Sequence, residues 1–248
     1  MQTEDLTLIK GTNTIPWRLF VPNDASKEFC VLWLQGWSSS MDSHYQAVER
    51  MVMQTGLAFA SLDYSGHGLH QTSLEDSTKL QQHEDVIAVF DELRARGYQK
   101  IIVNGGSFGG YQAALLTAKR PVYAAVLRAP ANYPDDEFEL PYKETLRYED
   151  PDEYAKLKAS KGMPLDTAAT RAIQGYEGFV YVMEHELDAT VPTQVPKCYF
   201  AAAKHGNYLI IPKTEHSPKL MSHPKQHIAY IEYMVVEVVK AIMLQDRL

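Results

Sequence analysis

Ser107 stands in the run Gly105-Gly106-Ser107-Phe108-Gly109, a G-x-S-x-G spacing, with Gly110 and Tyr111 directly after it. A serine hydroxyl is a poor nucleophile until a base takes its proton, and a carboxylate usually fixes that base. Later in the chain both are on offer: Asp188 in Leu187-Asp188-Ala189-Thr190-Val191-Pro192, and His216 in Glu215-His216-Ser217-Pro218. Together they would make Ser107 attack an acyl carbonyl, with His216 carrying the proton to the leaving group and Asp188 holding the imidazole tautomer. Two backbone N–H groups must also face the oxygen that becomes negative. Phe108, immediately after the serine, offers one, and Trp37 in the Gly36-Trp37-Ser38 loop offers the other.

Plainer readings stand beside these. A glycine-rich turn can carry an idle serine, Asp188 can be a turn residue before proline, and Trp37 can be a packing aromatic. Glu184 and Glu186 are further acids, though a residue within a strand would orient an imidazole poorly. With nine histidines in the chain, only position singles out His216. His205, His223 and His227 read as surface or helix-start residues.

The chemistry requires elements that bring the three side chains together. Ile101 to Val103 read as a short buried strand, and YQAALLTAKR after the serine has helical spacing. A strand reversing into a helix at a serine is a nucleophile elbow, which strains the serine backbone and needs neighbours without a Cβ. Before it, LTLIK and IPWRLFV alternate around Gly11 as a hairpin, and FCVLWLQG (29–36) and LAFASLDY (57–64) read as buried parallel strands. Between those two strands the spacing predicts a helix with Val48, Met51 and Met53 as its apolar positions, ended by Gly56. EDVIAVFDELRARG is an amphipathic helix with Val86, Val89, Phe90 and Leu93 inward. AAVLRAPA (124–131), GFVYVMEHE (178–186) and NYLIIPKT (207–214) continue the strand series. A final helix over about 224–245 turns Ile228, Ile231, Val235, Val238 and Ile242 inward. The acid and the histidine then fall in loops after successive strands. Strands alternating with helices imply a mostly parallel sheet wrapped on both faces.

These motifs, in the order serine, acid, histidine, resemble those of the α/β-hydrolases, and the resemblance covers nearly the whole chain. It implies one domain over 1–248, an α/β-hydrolase fold with a short lid inserted at about 132–176. The acid's usual H-G-x-x-D-x-x-V-P setting is matched at Asp188, Val191 and Pro192, while Glu184 and His185 replace its His-Gly. Gln35-Gly36 likewise stands where related enzymes carry His-Gly, yet a backbone donor there survives a side-chain change. LDYSGHG resembles the D-x-x-G-H-G segment that shapes the site of many small esterases. The elbow is also similar to the G-G-S-x-G-G-Y of prolyl oligopeptidases and acylaminoacyl peptidases, which generally carry a large extra domain that this length leaves no room for.

Residues 132–176 are rich in Tyr, Pro and charge, with two short helices expected near 151–160 and 165–174. Tyr133, Phe138 and Tyr142 are candidates for the pocket wall, alongside Tyr148, Tyr154, Phe108 and Tyr111; equally, they are the lid's own small core. Asp135, Asp136, Glu137 and Glu139 read as a solvated face that would disfavour long anionic substrates. The resulting expectation is a serine esterase for small or aromatic acyl groups, similar to cinnamoyl-type esterases. The alternatives are a peptidase or thioesterase on the same apparatus, or a catalytically silent binding protein.

Composition narrows the classes further. The formal net charge is −7 with no basic run, which argues against nucleic-acid and anionic-membrane partners. The first residues show no leader pattern and no apolar run suits a bilayer, so the expectation is a cytoplasmic protein acting on a small-molecule ester, with its oligomeric state open. Cys30 and Cys198 read as reduced core thiols. No cofactor is expected: the glycines do not fit a dinucleotide fingerprint, and His67 and His70 lack a third metal ligand.

Overall fold

The computed structural model describes residues 1–24, 26–159 and 165–245. Gly11, at a φ of 62°, turns β1 (Gln2–Lys10) into β2 (Asn13–Val21). The chain continues through β3 (Phe29–Leu34), α1 (Tyr45–Thr55), β4 (Ala58–Leu62), α2 (Lys79–Ala95), β5 (Lys100–Gly106), α3 (Phe108–Thr117) and β6 (Ala124–Arg128). After β6 come α4 (Leu146–Glu149), α5 (Pro151–Ala159), α6 (Ala168–Gly175), β7 (Phe179–His185), α7 (Gln194–Ala202), β8 (His205–Ile211) and α8 (Pro224–Gln245). The eight strands form one sheet in the order β1-β2-β4-β3-β5-β6-β7-β8, antiparallel at β1, β2 and β4 and parallel from β4 to β8. This is the mostly parallel sheet expected from the residue pattern, in the α/β-hydrolase architecture that the resemblance implies.

Strand period explains the two cores. In β3, Cys30, Leu32 and Leu34 face one side and Phe29, Val31 and Trp33 the other. The first face is covered by α2, α3, α6 and α7 through residues such as Phe90, Tyr111, Ile173 and Tyr199. The second is covered by α1 and α8 through Met51, Val52, Val235 and Val239. Each such side chain contributes roughly 1.5–3 kcal/mol on burial, and a strand buried on both faces reads as one apolar run.

Some expectations need correction. Met53 is 75% exposed and Val52 takes its place, because five residues from Val48 a helix has turned away from the core. Ile228 is half-buried, while Ile231, Val235, Val238 and Ile242 are buried as expected. Cys30 is buried, but Cys198 is only half-buried, its thiol bonded to the carbonyl of Leu165. α2 begins five residues before EDVIAV, capped by Thr78 and Gln81 in a reciprocal capping box. The two helices of the insertion form as α5 and α6, with the added turn α4; residues 160–164 lie outside the described residues. α6 carries Ala169 and Ile173 into the main core, so that end of the insertion packs as core. Among the described residues no helix is long and apolar enough to cross a membrane.

Candidate active site

Ser107 links β5 to α3 at φ 53° and ψ −117°, a conformation that costs a residue with a side chain about 1–3 kcal/mol. Close packing around it holds the strain. A Cβ on Gly105 would run into the Gly109 carbonyl, and one on Gly109 into the Leu34 carbonyl. The Ser107 N–H donates to the carbonyl of Arg128 at 2.9 Å, and its carbonyl accepts from Ala131 N–H at 3.0 Å. The hydroxyl is thereby fixed above the C-terminal edge of the parallel strands.

His216 comes from the loop after β8 and Asp188 from the loop after β7. Leu187 N–H donates to the Thr214 carbonyl at 2.9 Å, tying the two loops together. Asp188 Oδ1 accepts from the N–H groups of Thr190 and Val191, each at 2.8 Å, while Oδ2 lies 2.7 Å from His216 Nδ1. Burial would raise the Asp188 carboxyl, but the hydrogen bond and charge of His216, with the two N–H donors, hold it below the ordinary carboxylate value. An ionised carboxylate only accepts, so His216 carries its proton on Nδ1. Its Nε2 lone pair then faces Ser107 Oγ at 3.0 Å. The structure thus brings all three expected side chains into one hydrogen-bonded line.

The further acids are engaged elsewhere. Glu184 is buried and accepts from Thr193 and Tyr208 hydroxyls, and Glu186 accepts from Lys213 N–H at 2.6 Å. His185 donates from Nδ1 to the Glu215 carbonyl at 2.8 Å, bracing the histidine loop. Burial, with Arg128 beside it, pushes His185 down to about 3, so it is neutral.

The loop after β3 passes directly beside the nucleophile: a Cβ on Gly36 would stand 3.6 Å from Ser107 Cβ. Trp37, next in this loop, sets its ring against Phe108 at 5.8 Å, His67 at 5.7 Å and Tyr142 at 4.0 Å. Phe108 N–H is the first of α3, one of those a helix cannot satisfy internally. Gln35 turns inward, donating to the Leu62 carbonyl, and its own carbonyl accepts from Tyr64 hydroxyl at 3.1 Å. Asp63 accepts from Met41 N–H at 2.8 Å and Leu69 N–H at 2.9 Å, stapling together the two loops that flank the site. The aspartate of LDYSGHG was the available signal for this staple. His67 packs parallel to the Phe108 ring at 6.2 Å, and His70 bonds Asn13 at 2.9 Å. Among the described residues no group of three or more potential metal ligands occurs.

Ser107 and His216 open into a cavity of about 1220 Å³, walled by Trp37, Tyr133, Tyr154 and Val191 among others. Of the aromatics expected at its wall, Tyr133 and Tyr154 line it; Phe138, Tyr142, Tyr148, Phe108 and Tyr111 do not. Tyr142 is 2% exposed, with its hydroxyl donating to Gln82 at 2.8 Å, and Phe138 packs on His83 at 6.2 Å. Both anchor the insertion to α2. Of the acids expected to form a solvated face, Asp135, Asp136 and Glu139 are exposed, and only Glu137 is half-buried. Asp135 pairs with Arg171 and caps Ala168 N–H at 2.7 Å, and Glu137 pairs with the buried Lys79 at 3.2 Å. Lys79 and Arg128 also come to the site's surroundings; Arg128 is a lone cation in an apolar run, while Lys79 stands in a polar stretch that gives no sign of its burial.

Residues 26–195, more than half of the chain, match the family model described as serine aminopeptidase, S33 (Hydrolase_4). No curated protein matches. Among solved structures, ferulic acid-bound Est1E from Butyrivibrio proteoclasticus is 19% identical, with 97% of this chain and 98% of that one covered at a TM-score of 0.70. The mouse α/β hydrolase domain-containing protein 10 is 18% identical, with 96% and 99% covered at 0.67. The α/β hydrolase GrgF from Penicillium sp. sh18 is 14% identical, with 98% of each chain covered at 0.70. At these identities the likeness is one of fold.

Proposed function

Because the chain belongs to the serine aminopeptidase S33 family, a family of α/β-hydrolases, we propose that it is a serine hydrolase cleaving carboxylic esters of small or aromatic acyl groups through an acyl-enzyme. The observation that carries this reading is the line from Ser107 Oγ to His216 Nε2 (3.0 Å) and from His216 Nδ1 to Asp188 Oδ2 (2.7 Å) at the cavity. As Oγ bonds to the ester carbonyl carbon, its proton passes to Nε2 and the carbonyl oxygen becomes negative. The N–H groups of Trp37 and Phe108 receive that charge, each worth about 3 kcal/mol of transition-state stabilisation. The C–O bond to the alcohol then breaks, and the alcohol leaves with the proton from Nε2. Water repeats the sequence on the acyl-serine, giving the acid and restoring the hydroxyl.

The aromatic wall of Trp37, Tyr133 and Tyr154 suits a flat acyl group, and ferulic acid is the ligand in the Est1E structure. A second reading, hydrolysis of an aminoacyl amide, is favoured by the family's own description and by the Gly105-Gly106-Ser107-Phe108-Gly109-Gly110-Tyr111 elbow. Intact protein should be labelled by a fluorophosphonate at Ser107, and Ser107→Ala should lose both the label and ester turnover. A panel of p-nitrophenyl esters, methyl ferulate and aminoacyl p-nitroanilides ranks the two readings. Labelling or ester turnover that persists in Ser107→Ala would remove the proposal, and faster anilide than ester cleavage would replace it with the second reading.

A further inference from the structure

We propose that the cavity beside Ser107 contains a carboxylate-binding subsite built on Arg128, with Lys219 as a second cation, so that the substrate carries a free carboxylate near its scissile carbonyl. The inference deepens, and rests on, the ester-hydrolase reading.

Arg128 ends β6 in register with Gly106, the residue before the nucleophile. Its guanidinium lies against that glycine so closely that a Cβ there would collide with it. It lines the cavity, with Nη1 donating to His185 Nε2 at 3.4 Å and Nε buried with no partner. Among the described residues it forms no ion pair. Arg128 is half-buried, and a guanidinium withdrawn from water is normally matched by a carboxylate, since desolvating a lone charge costs several kcal/mol. Asp188, whose charge favours the protonated guanidinium, cannot turn to it: one oxygen holds two N–H donors and the other holds His216. Burial lowers Arg128 only to about 10, so it stays charged at neutral pH.

The other polar groups of this lobe do not supply the missing anion. His185 is neutral, and His44 is pushed down to about 4 by burial and by Arg128 and Lys219. Arg128, Lys219 and His44 line the same cavity. The acids on the cavity wall already have partners: Asp42 pairs with Arg18 at 2.7 Å and Glu232 with Arg50 at 2.7 Å. Arg128, Lys219 and Arg147, the last stacked over Trp37 at 4.9 Å, are left without a described carboxylate. The cavity that holds Ser107 thus carries positive charge with no described carboxylate against it, and Arg128 stands beside the nucleophile. A planar guanidinium fork is shaped for a carboxylate, and of the four acids expected to repel one, Asp135 and Glu137 pair with Arg171 and Lys79, while none of the four lines the cavity.

Two matched pairs of esters locate the charge. p-Nitrophenyl monoglutarate against p-nitrophenyl valerate places it on the acyl side, and O-acetyl-lactate against its methyl ester on the alcohol side. Wild type should prefer the anionic member of one pair by ~10- to 100-fold in kcat/KM, the range of a charged hydrogen bond in a desolvated site. Arg128→Met should bring that ratio near one, Arg128→Lys should keep part of it, and Lys219→Met should lower it a few-fold, more at low salt. Calorimetry on Ser107→Ala protein with monomethyl glutarate and dimethyl glutarate tests binding apart from catalysis; only the former should bind. Neutral esters turned over as fast as anionic ones, with no monomethyl glutarate binding, would overturn the subsite and leave the hydrolase reading standing. Binding of monomethyl glutarate without ester turnover or fluorophosphonate labelling would do the reverse. If Arg128→Met does not fold, a ratio unchanged in both Arg128→Lys and Lys219→Met overturns the proposal.

Discussion

Asp188 divides its work between two oxygens, and that division predicts what its amide would do. In Asp188→Asn the N–H groups of Thr190 and Val191 still need an acceptor, so the amide oxygen stays at Oδ1 and the NH₂ faces His216. His216 Nδ1 must then accept, the proton moves to Nε2, and Nε2 no longer takes the proton of Ser107. We expect kcat to fall on the order of 10⁴-fold, as a reversed tautomer costs in serine hydrolases, with KM much less affected. Steady-state kinetics on a p-nitrophenyl ester decide it; a loss under tenfold would show that Asp188 does not set the tautomer. The acid, the histidine and the serine were legible because each sits at a marked place, a turn after a strand with Gly or Pro nearby. Arg128, a lone cation in an apolar run, and Lys79, a cation in a polar stretch that reads as surface, were not legible, because neither setting shows whether the side chain is buried or which carboxylate meets it.

One element, the first part of the insertion, is fixed to the head of α2. Leu80 N–H donates to the Phe138 carbonyl at 2.9 Å, and Tyr142 N–H to the Ser77 carbonyl at 3.0 Å. Under these bonds Lys79, 1% exposed, pairs with Glu137 and lies 5.3 Å and 5.0 Å from the Tyr133 and Tyr142 ring centres. Burial lowers the Lys79 ammonium, and Glu137 works against that. Glu137→Gln leaves the cation buried without its counter-charge and should cost about 3–5 kcal/mol. Lys79→Met combined with Glu137→Leu should recover most of it. Urea denaturation measures both, and a double variant as unstable as the single one would show that the anchor of the insertion does not depend on charge pairing. This anchor also explains why Phe138 and Tyr142 are absent from the cavity wall: their rings fill the joint between insertion and α2.

For the whole molecule, buried histidines dominate the dependence of stability on acidity. Burial pushes His44, His67 and His83 down to about 4 and His185 to about 3, and lowers His70 as well. Unfolding returns each to an ordinary value near 6.5, so between about 4 and 6.5 the unfolded chain binds more protons than the native one. Their contribution is complete above 6.5 and is lost as pH falls through that window. Burial also raises the carboxyls of Asp63 and Asp85, which act in the opposite sense above 3.8, but they are two against five. The urea midpoint should therefore drop steadily from pH 7 to pH 5, and His83→Gln, which keeps a polar partner for Gln112, should flatten the slope. A midpoint that is flat or rises toward pH 5 would contradict this balance.

The amino-acid order alone determined the alternation of strands and helices, the elbow and the succession of serine, acid and histidine. Each of these is written in local terms: a period of two or of 3.6, a glycine where no Cβ fits, a polar residue just past a strand. Only the tertiary structure decided which aromatics face the cavity, which acids are paired and that Arg128 beside the nucleophile meets no carboxylate among the described residues. Those outcomes depend on contacts between residues many tens of positions apart, where pairing and burial leave no periodic mark on the chain.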